Sequence, residues 1–119
     1  MGLILIEFSN VAATESLYPA NGYKWKVKYI LAQVTGTSTA DSSLIVGIPG
    51  IDVLTLLSIS STSTSTTVSG QAGPVSGTAA GANVGFTGEI ETTSDEGLYL
   101  EVTNNGTVEV RILVDEVPA

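Results

Sequence analysis

Acidic side chains are the chemistry-bearing groups this sequence holds in quantity. Glu89, Glu91, Glu101 and Glu109 recur along its second half, with Asp95-Glu96 between them and Asp115-Glu116 at the end. Carboxylates in such number can hold a hard cation through oxygen, or work in pairs as general acid and base. Neither chemistry is specified by the spacing. No EF-hand pattern or Asp-rich calcium loop is present, and on an open sheet face little would raise a carboxyl pKa toward that of a general acid. The chain has no histidine and no cysteine. That removes the commonest general base, the commonest transition-metal ligand, thiol chemistry and disulfides. The acids therefore read as a solvated negative face, with a bound Ca²⁺ as the alternative. No catalytic residue and no cofactor is assigned, and an enzyme is not expected.

The bases are few and gathered together. Three of the four, Lys24, Lys26 and Lys28, alternate along one stretch. One reading is contact with an anionic partner, for which the best candidate is an acidic neighbour in a homo-oligomer. The other is a solvent or edge face kept from aggregating by lysine. Leu3 and Leu5, in an apolar run, and Tyr99, outside the expected core, join the lysines as candidate contact residues.

These side chains must be positioned by strands. From Tyr23 to Thr35 the sequence alternates strictly at first, with Tyr23, Trp25, Val27, Tyr29 and Leu31 facing one way and the lysines the other. A period of two means a β-strand with one packed and one wet face. From Ile30 the second face also turns apolar, so the strand is expected to end where both sides are covered. Leu3 to Phe8 hardly alternates and reads as a strand buried on both faces or used at a subunit contact. Ser9 to Tyr18 reads as irregular, and Pro19-Ala20-Asn21-Gly22 as a turn.

Further strands are expected over Ser43 to Ile48 and Ile51 to Ile59, separated by Pro49-Gly50. An edge strand over Thr62 to Ser69, a long loop over Gly70 to Gly81 and a strand from about Ala82 follow. Leu98 to Thr103 and Thr107 to Val114 flank Asn104-Asn105-Gly106, which fits a hairpin with a left-handed glycine at its end. That hairpin sets Val102 opposite Val108, Leu100 opposite Val110 and Leu98 opposite Ile112. It also sets Tyr99 beside Arg111 and Glu101 beside Glu109, with Arg111 available to offset the paired charges.

About eight short strands with turns every 8 to 12 residues and no convincing helix predict an all-β fold. The expectation is a single antiparallel β-sandwich, jelly-roll-like, over residues 1–119. Its core would hold Trp25, Val27, Tyr29, Leu31, Val46, Val53, Leu57, Phe86, Leu100, Val102, Val110 and Ile112. Charged residues are only 13% of the 119, and twelve acids against four bases leave a net charge of −8. Nucleic acid and anionic membrane are disfavoured as partners, because both need clustered cations. The N-terminal apolar run lacks a basic flank and is too short for a signal peptide or a membrane span. The chain thus reads as made in the cytoplasm without an export signal, yet its surface, poor in charge and rich in Ser and Thr, suits work outside a cell.

The stretch Pro19-Ala20-Asn21-Gly22-Tyr23-Lys24-Trp25-Lys26-Val27 resembles the strand entry of small phage virion proteins: Pro, Gly, basic, aromatic, basic, aliphatic. Those chains similarly continue into a Ser/Thr-rich stretch and close on an apolar strand ending in Val-Pro, as Glu116-Val117-Pro118 does. The resemblance implies a β-sandwich used in a virion as a head decoration, spike or fibre module. It also implies a homo-oligomer, often a trimer, bound to a major capsid or other virion protein, with no catalytic residues. The alternative is a carbohydrate-binding or adhesion module, for which Tyr18, Tyr23 and Tyr99 are the aromatic candidates.

Overall fold

The computed structural model describes residues 2–10, 13–37, 39–48, 54–61, 67–72, 90–92 and 97–119. Among these residues nine strands run in chain order: β1 (Gly2–Phe8), β2 (Glu15–Leu17), β3 (Tyr23–Thr35), β4 (Ser42–Ile48), β5 (Leu54–Ser61), β6 (Thr67–Ala72), β7 (Ile90–Glu91), β8 (Leu98–Thr103) and β9 (Thr107–Pro118). They form two antiparallel sheets packed face to face, a β-sandwich as the alternation predicts, and no described residue is helical. The first sheet has the order β1-β9-β3-β6, with β7 also pairing β3; the second has the order β2-β8-β4-β5.

The long strand β3 begins and ends where the sequence places it, but its faces change over. The ladder to β9 pairs Val27 with Val114 and then Tyr29 with Leu113, stepping over Lys28. This β-bulge inserts one residue, and a side-chain period of two turns that one residue into an exchange of faces. Trp25 and Val27 point inward before it; Ile30, Ala32 and Val34 do so after it. Tyr29 is therefore half-buried and Leu31 lies exposed on the outer face, against the expectation that both belong to the core. The apolar second face after Ile30 marks this change of phase and not a strand covered on both sides.

Trp25, Val27, Val46, Leu57, Leu100, Val110 and Ile112 are buried as expected, joined by Ile30, Leu44, Ile59, Leu98, Val108 and Val114. Val102 is half-buried, and Val53 and Phe86 lie outside the described residues. Leu56 is buried as well. It sits in a second irregularity, where the β4–β5 register steps from Val46–Leu57 to Gly47–Thr55.

The expected hairpin does not form. β8 pairs with β2 and β4, while β9 pairs with β1 and β3, so Asn104-Asn105-Gly106 arches from one sheet to the other. The apolar residues meet across the sandwich and not side by side within a sheet. The arch is held by short polar contacts. The Asn105 amide donates to the buried Ser42 hydroxyl at 2.9 Å, the Asn105 side chain donates to the Asp41 carbonyl at 2.6 Å, and the Gly106 amide donates to Asn104 Oδ1 at 2.9 Å. Gly106 has no left-handed backbone; it is glycine because a Cβ there would run into the Thr35 carbonyl. Gly22 is the reverse case, with φ +84° in the turn before β3 and open space around it.

Other segments differ in detail. Glu15–Leu17, within the stretch read as irregular, adds a short strand by pairing with Leu98–Leu100. The edge strand β6 runs on to Ala72, taking in Gly70, which the sequence suggests as the start of a loop. The expected turn at Pro49-Gly50 and the loop beyond Ala72 lie outside the described residues. The hydroxyl-rich composition has an inside as well as an outside. Buried Ser61 accepts the Gly36 amide at 3.1 Å, and buried Thr92 accepts the Trp25 amide at 2.9 Å. These hydroxyls satisfy backbone donors where the sheets stop, as burial of polar groups demands.

Candidate interaction surface

The predicted contact residues fall on two surfaces. Tyr99 stands on the outer face of the second sheet, between Ser16 and Gly47 in register. Burial first, then the charge of Glu101 and a hydrogen bond to it, raise its hydroxyl above the ordinary pKa, so it stays a protonated donor to that carboxylate. The lysines and leucines belong to the outer face of the first sheet, built by the alternate residues of β1, β9 and β3.

That face is ordered in rows across the strands. One row runs Leu3, Asp115, Lys26, Glu91; the next Leu5, Leu113, Tyr29; the next Glu7, Arg111, Leu31. Charge at one end therefore gives way to an apolar strip that begins at the edge strand β1. Leu3 is 68% exposed and Leu5 53%. Burial of β1 on both faces is thus not what the structure has: the run is apolar and its outer side chains are open to solvent. Contiguous exposed apolar side chains of this kind mark contact surfaces more often than solitary ones do.

Lys24 is engaged within the chain, its Nζ 2.6 Å from Glu91 Oε1. Lys26 stands in register between Glu91 and Asp115. Lys28 occupies the bulge, which breaks the even spacing of the row. Lys24 and Lys26 thus have acidic neighbours of their own fold, and Leu3 and Leu5 at the sheet edge carry the stronger signal for a contact.

Beyond the apolar strip, Arg111 Nε lies 3.0 Å from Glu7 Oε2, and the Ser9 hydroxyl donates to Glu109 Oε1 at 3.2 Å. The ion pair is well exposed, a setting worth at most about 1 kcal/mol. These groups line an open concavity of about 490 Å³ with Leu31, Gln33 and Ser69. Glu101 and Glu109, expected side by side, belong to different sheets. Glu89, Asp95 and Glu96 lie outside the described residues. Among the described residues no three acidic side chains come together in a way that would hold a metal ion.

Sequence reasoning passed over Glu116. Its Oε2 accepts the Ala20 amide at 3.2 Å and the Trp25 indole N–H at 3.0 Å, tying the turn before β3 to the end of β9. The first of these hydrogen bonds, then the second, hold its carboxyl below the ordinary value of 4.5. A carboxyl with a lower pKa folded than unfolded stabilises the fold above the unfolded value, and this is lost as pH falls through the folded one. Glu116→Gln should therefore cost stability at neutral pH and progressively less as pH falls below 4.5, measured by urea unfolding across that range. A gap between variant and parent that stays constant into acid would exclude this account.

Comparison with known proteins adds no relative: no family model, no curated protein and no solved structure matches the chain.

Proposed function

We propose that the protein is a non-enzymatic structural subunit of a virus particle, of the head decoration, spike or fibre kind. It works through contacts with its own copies and with a capsid or other virion protein. The observation that supports this best is the apolar strip that begins at the exposed Leu3 and Leu5 and continues through the half-buried Leu113 and Tyr29. An acidic chain, with formal charge −8, gains solubility from that charge and still keeps one face fit for assembly. The resemblance of the Pro19–Val27 stretch to virion proteins agrees with this use. The direct test is composition: mass spectrometry of purified particles should find this polypeptide in fixed ratio to the major capsid protein. Its absence from the particles would overturn the proposal.

A second reading, a carbohydrate-binding or adhesion module, draws on Tyr18. It is 65% exposed, and with Tyr99 it flanks the Leu17–Leu98 pair. Retention on a glycan array, abolished by Tyr99→Ala, would support that reading; an array without binding would remove it.

A further inference from the structure

The four outer edges of the two sheets are not alike. β2 is only three residues long. β5 departs from regular register with its neighbour at Leu56. β6 carries the polar Thr67 and Ser69. Shortness, irregularity and polar side chains are ways of discouraging a sheet edge from pairing with another chain. β1 is neither short nor irregular, and Glu7 is its one polar side chain. It is seven residues, Gly-Leu-Ile-Leu-Ile-Glu-Phe, without lysine or proline, and it pairs with β9 in unbroken register from Gly2–Glu116 to Phe8–Val110. Its other side faces no described strand.

We infer that β1 pairs antiparallel with β1 of a second copy of this chain, joining two first sheets into one continuous sheet about a two-fold axis at Leu5. This rests on the reading of that face as an assembly surface, and it names the partner and the register. A two-fold contact is made by one patch with itself, so the strand must be complementary to its own reverse. Centring on Leu5 is the register that pairs all seven residues: Leu5 with the partner's Leu5, Ile4 with the partner's Ile6, Leu3 with the partner's Glu7. Ile4, which points toward the core yet remains 37% exposed at the open edge, is then covered by the partner's Ile6.

Charge disfavours the registers centred beyond Leu5, while centres before it pair fewer residues. Centring on Leu5 leaves the two Glu7 carboxylates four positions apart, roughly 14 Å at about 3.4 Å per residue. That exceeds the Debye length of about 8 Å at physiological ionic strength. Centring on Ile6 halves the separation, and centring on Glu7 puts like charges face to face, which destabilises. Each Glu7 also keeps Arg111 of its own chain. The apolar strip of one copy continues into that of the next, since Leu3 and Leu5 of both lie on the same side of the joined sheet. Such an edge closes as a pair; a ring of three would need a different surface.

Sedimentation equilibrium of the full chain should give twice the 12.2 kDa chain mass. Leu5→Lys puts two like charges opposite each other at an exposed position and should raise the dissociation constant about tenfold or more, with circular dichroism unchanged. The chain has no native cysteine, so register is read by single substitutions: Leu5→Cys should cross-link to itself under diamide, and Leu3→Cys should not. A monomer or a trimer, a Leu5→Lys dimer of undiminished affinity, or cross-linking at position 3 as fast as at position 5 would each overturn the inference. A monomer that is nevertheless found in particles would end the pairing and leave the structural role. A dimer absent from particles would do the opposite.

Discussion

Truncating Leu100 to alanine should lower the free energy of unfolding by about 3 kcal/mol, in the middle of the range for buried leucines. Leu100 is wholly buried and lies between Glu15 of β2 and Val46 of β4, in the middle of the second sheet. Its neighbours are anchored on two sides by ladder hydrogen bonds, so little collapse into the vacated space is available. The informative comparison is Leu31→Ala. Simple alternation from Trp25 makes Leu31 a core residue, but the bulge at Lys28 turns it outward, 36% exposed. It should cost about 0.5 kcal/mol, as substitutions on open faces do. Urea titrations of the two variants and the parent, with unchanged slopes, decide the matter. Equal losses at the two leucines would mean that β3 keeps one phase throughout.

Gly106→Ala should destabilise by about 1–3 kcal/mol, for a reason opposite to the usual one for a glycine in a turn. The backbone there lies in the ordinary region, and the difficulty is the Thr35 carbonyl, which an added Cβ would strike. A backbone oxygen at the end of β3 cannot swing aside as a side chain can, so the arch must open. Asparagine, which tolerates left-handed backbone, should give no relief at 106. At Gly22, where φ is +84° and space is open, alanine should cost about 1–2 kcal/mol and asparagine less. Thermal melts of the four variants separate steric contact from backbone strain. If asparagine rescued position 106, the left-handed hairpin glycine that the local sequence suggests would be restored.

Those two cases show where sequence reasoning reaches and where it stops. The ends of β3, β4 and β8 and the turn before β3 were legible, because alternation and Pro-Asn-Gly chemistry are local signals. The bulge was not, because after Ile30 both parities of β3 are apolar, and a pattern that fits two faces cannot choose one. The arch was misread for a similar reason. Inward residues of β8 and β9 alternate identically whether the strands lie side by side or face each other across the core. The decision rests with Ser42 and Asp41, distant in sequence, which hold Asn105. β1 carried an ambiguous signal, since an unalternating apolar run suits an interior strand and an edge that seeks a partner equally. Of the contact candidates, Leu3 and Leu5 are on the surface, with Asp115 standing between Leu3 and Lys26 in their row. The internal partnership of Lys24 depended on Glu91, whose approach to β3 no local pattern reveals.

The place of β9 has a consequence in time. It lies between β1 and β3, and it is the last of the nine described strands in sequence. Gly2 finds its neighbour at Glu116, almost the full sequence away. While the chain is being synthesised, β1 and β3 therefore wait without the strand that joins them, and the first sheet cannot form from its earlier members alone. Folds dominated by such distant pairings are slow, and their waiting segments are open to wrong associations. For this protein the segment that waits longest is also the most apolar edge. Two nascent chains on neighbouring ribosomes would meet through the same β1 that we propose pairs mature copies, so conditions that slow elongation should raise the yield of aggregates before any effect on the finished fold.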